Sequence, residues 1–132
     1  MSAITDPDVG ADTGAAQPTS LDGRSLLVPG PAGDDRPGAG ASFSYTQTGD
    51  LVHATYSGGR VRLGHRVGIM RGNHLEFRWA EVLESGEARG GKADARLEVL
   101  PDGRIRLYEI WSADGPGHRA EGIGVAEEAP AA

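Results

Sequence analysis

The chain has 132 residues, no Cys and a formal net charge of −6 at pH 7. That length serves one hydrophobic core and leaves no room for a second. The absence of thiols excludes a disulfide framework, a thiolate nucleophile and a Cys-based zinc site, and the acidity argues against a nucleic-acid partner, whose surface would need a concentrated basic stripe.

The first segment, Met1 to about Gly23, is rich in Asp, Ala, Gly, Thr and Pro and nearly empty of large apolar groups. It cannot bury enough surface to offset the entropy of ordering, so a disordered acidic tail is expected over 1–23. Its opening "MSAITDPDVGADTG" lacks the basic start and apolar core of a signal peptide. No apolar run approaches the roughly 20 residues of a membrane span. A cytoplasmic protein with no membrane partner is therefore expected.

A single domain is expected over 24–128. It starts with a short apolar strand, "RSLLV" at Arg24 to Val28, followed by a mobile Pro/Gly-rich connection, "PGPAGDDRPGAGA", at Pro29 to Ala41. From Ser42 onward apolar residues recur with period two, and the turns test the register. Gly49 and Asp50 form a two-residue hairpin that pairs Gln47 with Val52, Tyr45 with Ala54 and Phe43 with Tyr56. A turn at Gly58 and Gly59 pairs Tyr56 with Val61, Ala54 with Leu63 and Val52 with His65. A loop at Arg71 to Asn73 then pairs Ile69 with Leu75, Val67 with Phe77, His65 with Trp79 and Leu63 with Glu81. Pro101 to Gly103 pairs Val99 with Ile105, Leu97 with Leu107, Ala95 with Glu109 and Ala93 with Trp111. Further strands run over Ala88 to Leu100 and, after "ADGPG", over roughly His118 to Ala126.

About eight antiparallel strands joined by short hairpins give an all-β chain, and a meander of this size closes into an up-and-down β-barrel to remove its edges. This architecture is similar to the lipocalin and avidin meanders, whose lumen holds side chains or one small ligand. A flat sheet covered by a homo-oligomer partner is the competing arrangement.

In that register the inner face carries Phe43, Tyr45, Tyr56, Leu63, Val67, Phe77, Trp79, Leu97, Leu107 and Trp111, with Gln47, His65, Glu81, Glu109 and Glu121 among them. His65 interrupts the apolar row Val61, Leu63, Val67, Ile69. A buried polar group needs partners, and Glu81 lies within reach of His65 on the next strand. His65, Glu81 and Glu109 are thus the candidate catalytic residues. Tyr45, Gln47, Tyr56, Phe77, Trp79, Trp111 and Glu121 are the candidate ligand-binding residues. The same set also fits a satisfied structural network. The four histidines lack metal-binding spacing, the glycines sit at hairpins where they cradle no phosphate, and Arg60, Arg62 and Arg66 read as a solvated face, so no metal or cofactor is expected.

The segments "ATYSGG" and "LPDGRIRL", with Glu109 to Trp111, resemble short bacterial proteins commonly labelled N-acetylglutamate synthase, over about Phe43 to Trp111. That resemblance implies a compact β architecture. An acetyltransferase of the usual kind needs a mixed α/β core and a helix N-terminus at the cofactor pyrophosphate, which this chain does not offer. In architecture and lining the chain is also similar to small β-barrel cyclases of natural-product pathways. The resemblance to cyclases implies a cofactor-independent cyclase or isomerase, including cycloaddition, acting on an apolar polyketide-like molecule. A non-catalytic small-molecule-binding barrel and a structural or oligomeric module are the alternatives.

Overall fold

The computed structural model describes residues 19–29, 39–114 and 120–130. The expected tail up to residue 18, residues 30–38 of the expected mobile connection, and residues 115–119 of the turn before the last strand lie outside the described residues. Eight antiparallel strands form a closed barrel in chain order: β1 (Ser25–Leu27), β2 (Ala41–Thr48), β3 (Leu51–Gly58), β4 (Val61–Arg71), β5 (His74–Leu83), β6 (Ala88–Val99), β7 (Ile105–Asp114) and β8 (Ala120–Glu128). Leu26 and Leu27 of β1 pair with Glu128 and Glu127 of β8, which joins the two ends of the sheet. Among the described residues no helix is long and apolar enough to cross a membrane.

Strict alternation of buried and exposed residues through β2, β3 and β5 places Phe43, Tyr45, Val52, Ala54, Tyr56, Leu75, Phe77 and Trp79 inside. The β2–β3 pairs Gln47–Val52, Tyr45–Ala54 and Phe43–Tyr56 form as the hairpin chemistry predicts. So do the β6–β7 pairs Val99–Ile105, Leu97–Leu107, Ala95–Glu109 and Ala93–Trp111.

Strand β4 departs from the expected register. Gly58 pairs with Val61, yet Tyr56 pairs with Gly64, so Arg62 and Leu63 together oppose Ser57. On the other side Val61 pairs with Leu83 and Leu63 with Val82, again leaving one extra residue on β4. A bulge of one residue turns every later side chain to the opposite face. Gly64, Arg66 and Met70 therefore face the interior, while Leu63 and Val67 are 47% and 60% exposed and His65 is exposed as well. The next hairpin closes on Gly72 and Asn73 with Arg71 opposite His74, which sets Met70 against Leu75, Gly68 against Phe77, Arg66 against Trp79 and Gly64 against Glu81.

Aromatic bulk explains this register. A Cβ at Gly64 would overlap the Tyr56 ring and one at Gly122 would come within 2.7 Å of the Trp111 ring, while one at Gly68 would strike the Glu76 backbone carbonyl first and the Phe77 ring second. Large rings laid over strand glycines fill a narrow barrel without overpacking it.

One end of the barrel is closed. Leu21, within the stretch expected as tail, is fully buried and joins the core cluster that contains Val52, Leu75, Ile105 and Leu107. Its N–H donates to Gln47 Oε1 at 2.9 Å, and the Gln47 N–H donates to Asp22 Oδ1 at 2.9 Å. The Gly23 N–H to Tyr45 carbonyl bond, 3.0 Å, and the Tyr45 N–H to Arg24 carbonyl bond, 2.9 Å, lay this segment along β2.

Candidate functional site

The bulge in β4 delivers Arg66 to the middle of the lumen, where it is only 6% exposed. Its Nη1 and Nη2 donate to Glu109 Oε2 and Oε1 at 2.5 and 3.1 Å, and Nη1 also donates to the Tyr45 hydroxyl at 3.3 Å. The guanidinium carbon lies 4.6 Å from the Phe43 ring centre and 4.7 Å from that of Phe77. Burial works against the charge on Arg66, but the Glu109 carboxylate together with Tyr45 and Tyr56 outweighs it and holds the Arg66 pKa above its ordinary value. Burial pushes the Tyr45 phenol up to about 12, against the opposing pull of Arg66. Arg66 Nε is a buried donor with no hydrogen-bond partner.

A second ion pair lies toward the end of the barrel opposite Leu21. Tyr56 donates its hydroxyl proton to Glu81 Oε1 at 2.8 Å, and Arg89 Nε donates to Glu81 Oε2 at 2.9 Å. Burial, followed by the charge of Glu81, raises the Tyr56 pKa above its ordinary value. The Arg89 guanidinium carbon lies 5.8 Å from the Trp79 ring centre. Trp79 donates its indole N–H to the Lys92 carbonyl at 3.1 Å and meets Trp111 edge-on, ring centres 6.4 Å apart.

These groups border a cavity of about 70 Å³ lined by Val28, Phe43, Tyr56, Arg66, Trp79, Glu81, Arg89, Trp111 and Gly124. Of the residues expected to form a site, Glu81, Tyr56, Trp79 and Trp111 meet at this cavity. Glu109, Tyr45 and Phe77 gather around Arg66. Gln47 stands at the closed end, where its side chain holds Leu21 and donates to the Gly49 carbonyl at 2.9 Å.

Two expected positions are corrected. His65 is on the outer surface between Thr55 and Ala80, because the bulge reversed β4, and it lies beside neither Trp79 nor Glu81. Glu121 is exposed, paired with Ser112, because the inner row of β8 is Gly122, Gly124 and Ala126. Arg66, read from the sequence as part of a solvated face, is instead the central buried cation. The signal that could have found it is the spacing Gly64-x-Arg66-x-Gly68, glycines that aromatic rings on both neighbouring strands require. On the outside of β5 and β6 the exposed His74, Glu76 and Asp94 bring ligand atoms within 4.8 Å of one another, the one group among the described residues with a metal-like donor set.

A family described as avidin-like protein matches residues 19–129. Comparison with curated proteins and with solved structures gave no match. The expected kinships with the proteins labelled N-acetylglutamate synthase and with cyclases find no support in these comparisons.

Proposed function

The chain belongs to the avidin-like family, and on that premise we propose that it binds a small molecule in its lumen, at the end opposite Leu21, without transforming it. The lumen of an eight-stranded barrel is either filled by side chains or holds one small ligand, and here a cavity is left among the side chains. An aromatic wall with a few convergent polar groups is the usual make-up of such a site. The cyclase expectation relied on His65 as an acid or base, and that residue is outside. Both carboxylates of the interior are already committed to arginines, Glu109 to Arg66 and Glu81 to Arg89.

The ligand chemistry rests on Arg66, which lines the cavity and whose Nε–H is buried without a partner, so that the guanidinium would have to turn toward the cavity to meet an acceptor on the ligand. Leaving a buried donor unsatisfied costs about 1–3 kcal/mol, which an acceptor on the ligand would recover. Arg66 with Glu109 and Arg89 with Glu81 cancel in charge, so a carboxylate would enter without a free countercharge. A neutral carbonyl fits better. The cavity, about 70 Å³, is smaller than the roughly 150 Å³ that accommodates benzene. The ligand therefore inserts a carbonyl head and keeps its planar body outside the cavity, against the edge-on pair Trp79 and Trp111.

The chain has two Trp residues, and their indole N–H signals report binding. Titration with benzamide should shift both, with benzoate and toluene at least tenfold weaker. Equal or tighter binding of benzoate would overturn the neutral-head reading, and no response to any of the three would overturn the site. A homo-oligomer reading is favoured by the outer face of β7 and β8, where the directly paired Ile110 and Ile123 are 65% and 77% exposed. It requires the native protein to sediment heavier than one chain and Ile123→Glu to sediment as a monomer. A monomeric native protein would end it.

A further inference from the structure

We propose that Gly124 is the residue that sets how deep a ligand reaches into the barrel, an inference that rests on the binding reading above. Glycine inside a strand weakens it and, where no turn or bulge requires it, marks a place that another backbone or a ligand approaches closely. The other inner glycines have their neighbours within the fold. Gly64, Gly68 and Gly122 lie under the Tyr56, Phe77 and Trp111 rings, and a Cβ at Gly91 would strike the Ser112 carbonyl. Conformation explains another group, from Gly23 to Gly103, whose φ angles are positive.

Gly124 has neither reason. Its φ is not among the positive ones, and a Cβ built on it would have nothing within 4 Å. It is paired with Glu109, whose carboxylate is turned to Arg66, so no ring covers it. It also lines the cavity together with Arg66. The space above Gly124 therefore belongs to the cavity, and a side chain there would take volume that a ligand head group needs. The residue acts as a size filter: it admits a compact head group along the bare backbone of β8, and any branch at the head meets the wall formed by Phe43 and Trp111.

The experiment is a thermal melt and a benzamide titration on native protein, Gly124→Ala and Gly124→Val. Both variants should melt no lower than the native protein, because the site is open and its φ suits any residue. Benzamide affinity should fall stepwise, by at least tenfold in Gly124→Val and by less in Gly124→Ala. A lower melting temperature in Gly124→Ala would make the glycine structural and overturn the inference whatever the affinity. Unchanged affinity in Gly124→Val, with the native protein binding benzamide, overturns this inference alone. Absence of benzamide binding by the native protein overturns the proposed function and this inference with it.

Discussion

Arg66 on β4 grips Glu109 on β7 through paired contacts of 2.5 and 3.1 Å, although the two strands share no edge of the sheet. The pair therefore spans the lumen. Two charges have been taken out of water at this point, with Phe43 and Phe77 against the guanidinium. Their attraction and hydrogen bonds offset that desolvation without necessarily exceeding it.

The first prediction follows from that balance. Arg66→Met or Glu109→Met should each lower the unfolding free energy by about 3–5 kcal/mol, because each leaves an uncompensated buried charge. The double variant Arg66→Met with Glu109→Met should recover most of the loss. Urea denaturation of the three variants checks it, and strictly additive losses would mean that the two residues do not act as a pair.

Alkaline pH gives the second. The folded-state pKa of Tyr45, about 12, is above the ordinary value near 10 of an unfolded chain. A group whose pKa is raised on folding contributes stability that is fully present below the unfolded value and is lost as pH rises through the folded one. Stability should thus fall between about pH 10 and pH 12, by about 2–3 kcal/mol for Tyr45, with Tyr56 acting in the same direction. Tyr45→Phe should flatten the dependence when denaturation is measured across that range. An unchanged slope would show that Tyr45 ionises as freely in the fold as in the unfolded chain.

Much of the barrel was legible in the sequence because alternation and turn residues agreed, as in the pairs Tyr45–Ala54 and Leu97–Leu107. The pattern failed on β4, where the outward row Leu63, Val67 and Ile69 is more apolar than the inward Gly64, Arg66 and Gly68. Hydrophobicity read strand by strand assigns the richer row to the core. In this barrel the core beside the middle of β4 is already filled by rings from β3 and β5, so between Val61 and Met70 the strand supplies glycines and one cation. Glu81, Tyr56, Trp79 and Trp111 were legible as neighbours in the lumen because their strands kept the simple period. Arg66 was hidden by a bulge that no turn motif announces.

The closed end supplies the third prediction. Leu21 is fully buried and its backbone is bonded to the Gln47 side chain. Leu21→Ala should therefore cost about 2–5 kcal/mol, as for other large-to-small changes in a core. A tail residue would change stability by no more than about 0.5 kcal/mol. Chemical denaturation distinguishes the two, and a loss in the smaller range would return the boundary of the domain to Gly23.

The last prediction tests the reversed register of β4 with neighbouring residues. Gly64 faces inward beneath Tyr56, and a methyl group there would overlap the ring whose hydroxyl binds Glu81. Gly64→Ala should therefore destabilise by about 1–3 kcal/mol through overpacking. It should also perturb the Tyr56–Glu81–Arg89 chain, visible as a shift of the Trp79 indole signal, since Arg89 lies over that ring. His65 is exposed on the other face, and His65→Asp should alter stability by no more than about 0.5 kcal/mol. Had β4 run without its bulge, His65 would stand in the lumen beside Trp79, and an aspartate there would unfold the protein while Gly64→Ala passed unnoticed on the surface. Thermal melts of the two variants measured side by side decide between the registers. Severe loss in His65→Asp with a neutral Gly64→Ala would require the unbulged strand and would remove Arg66 from the site.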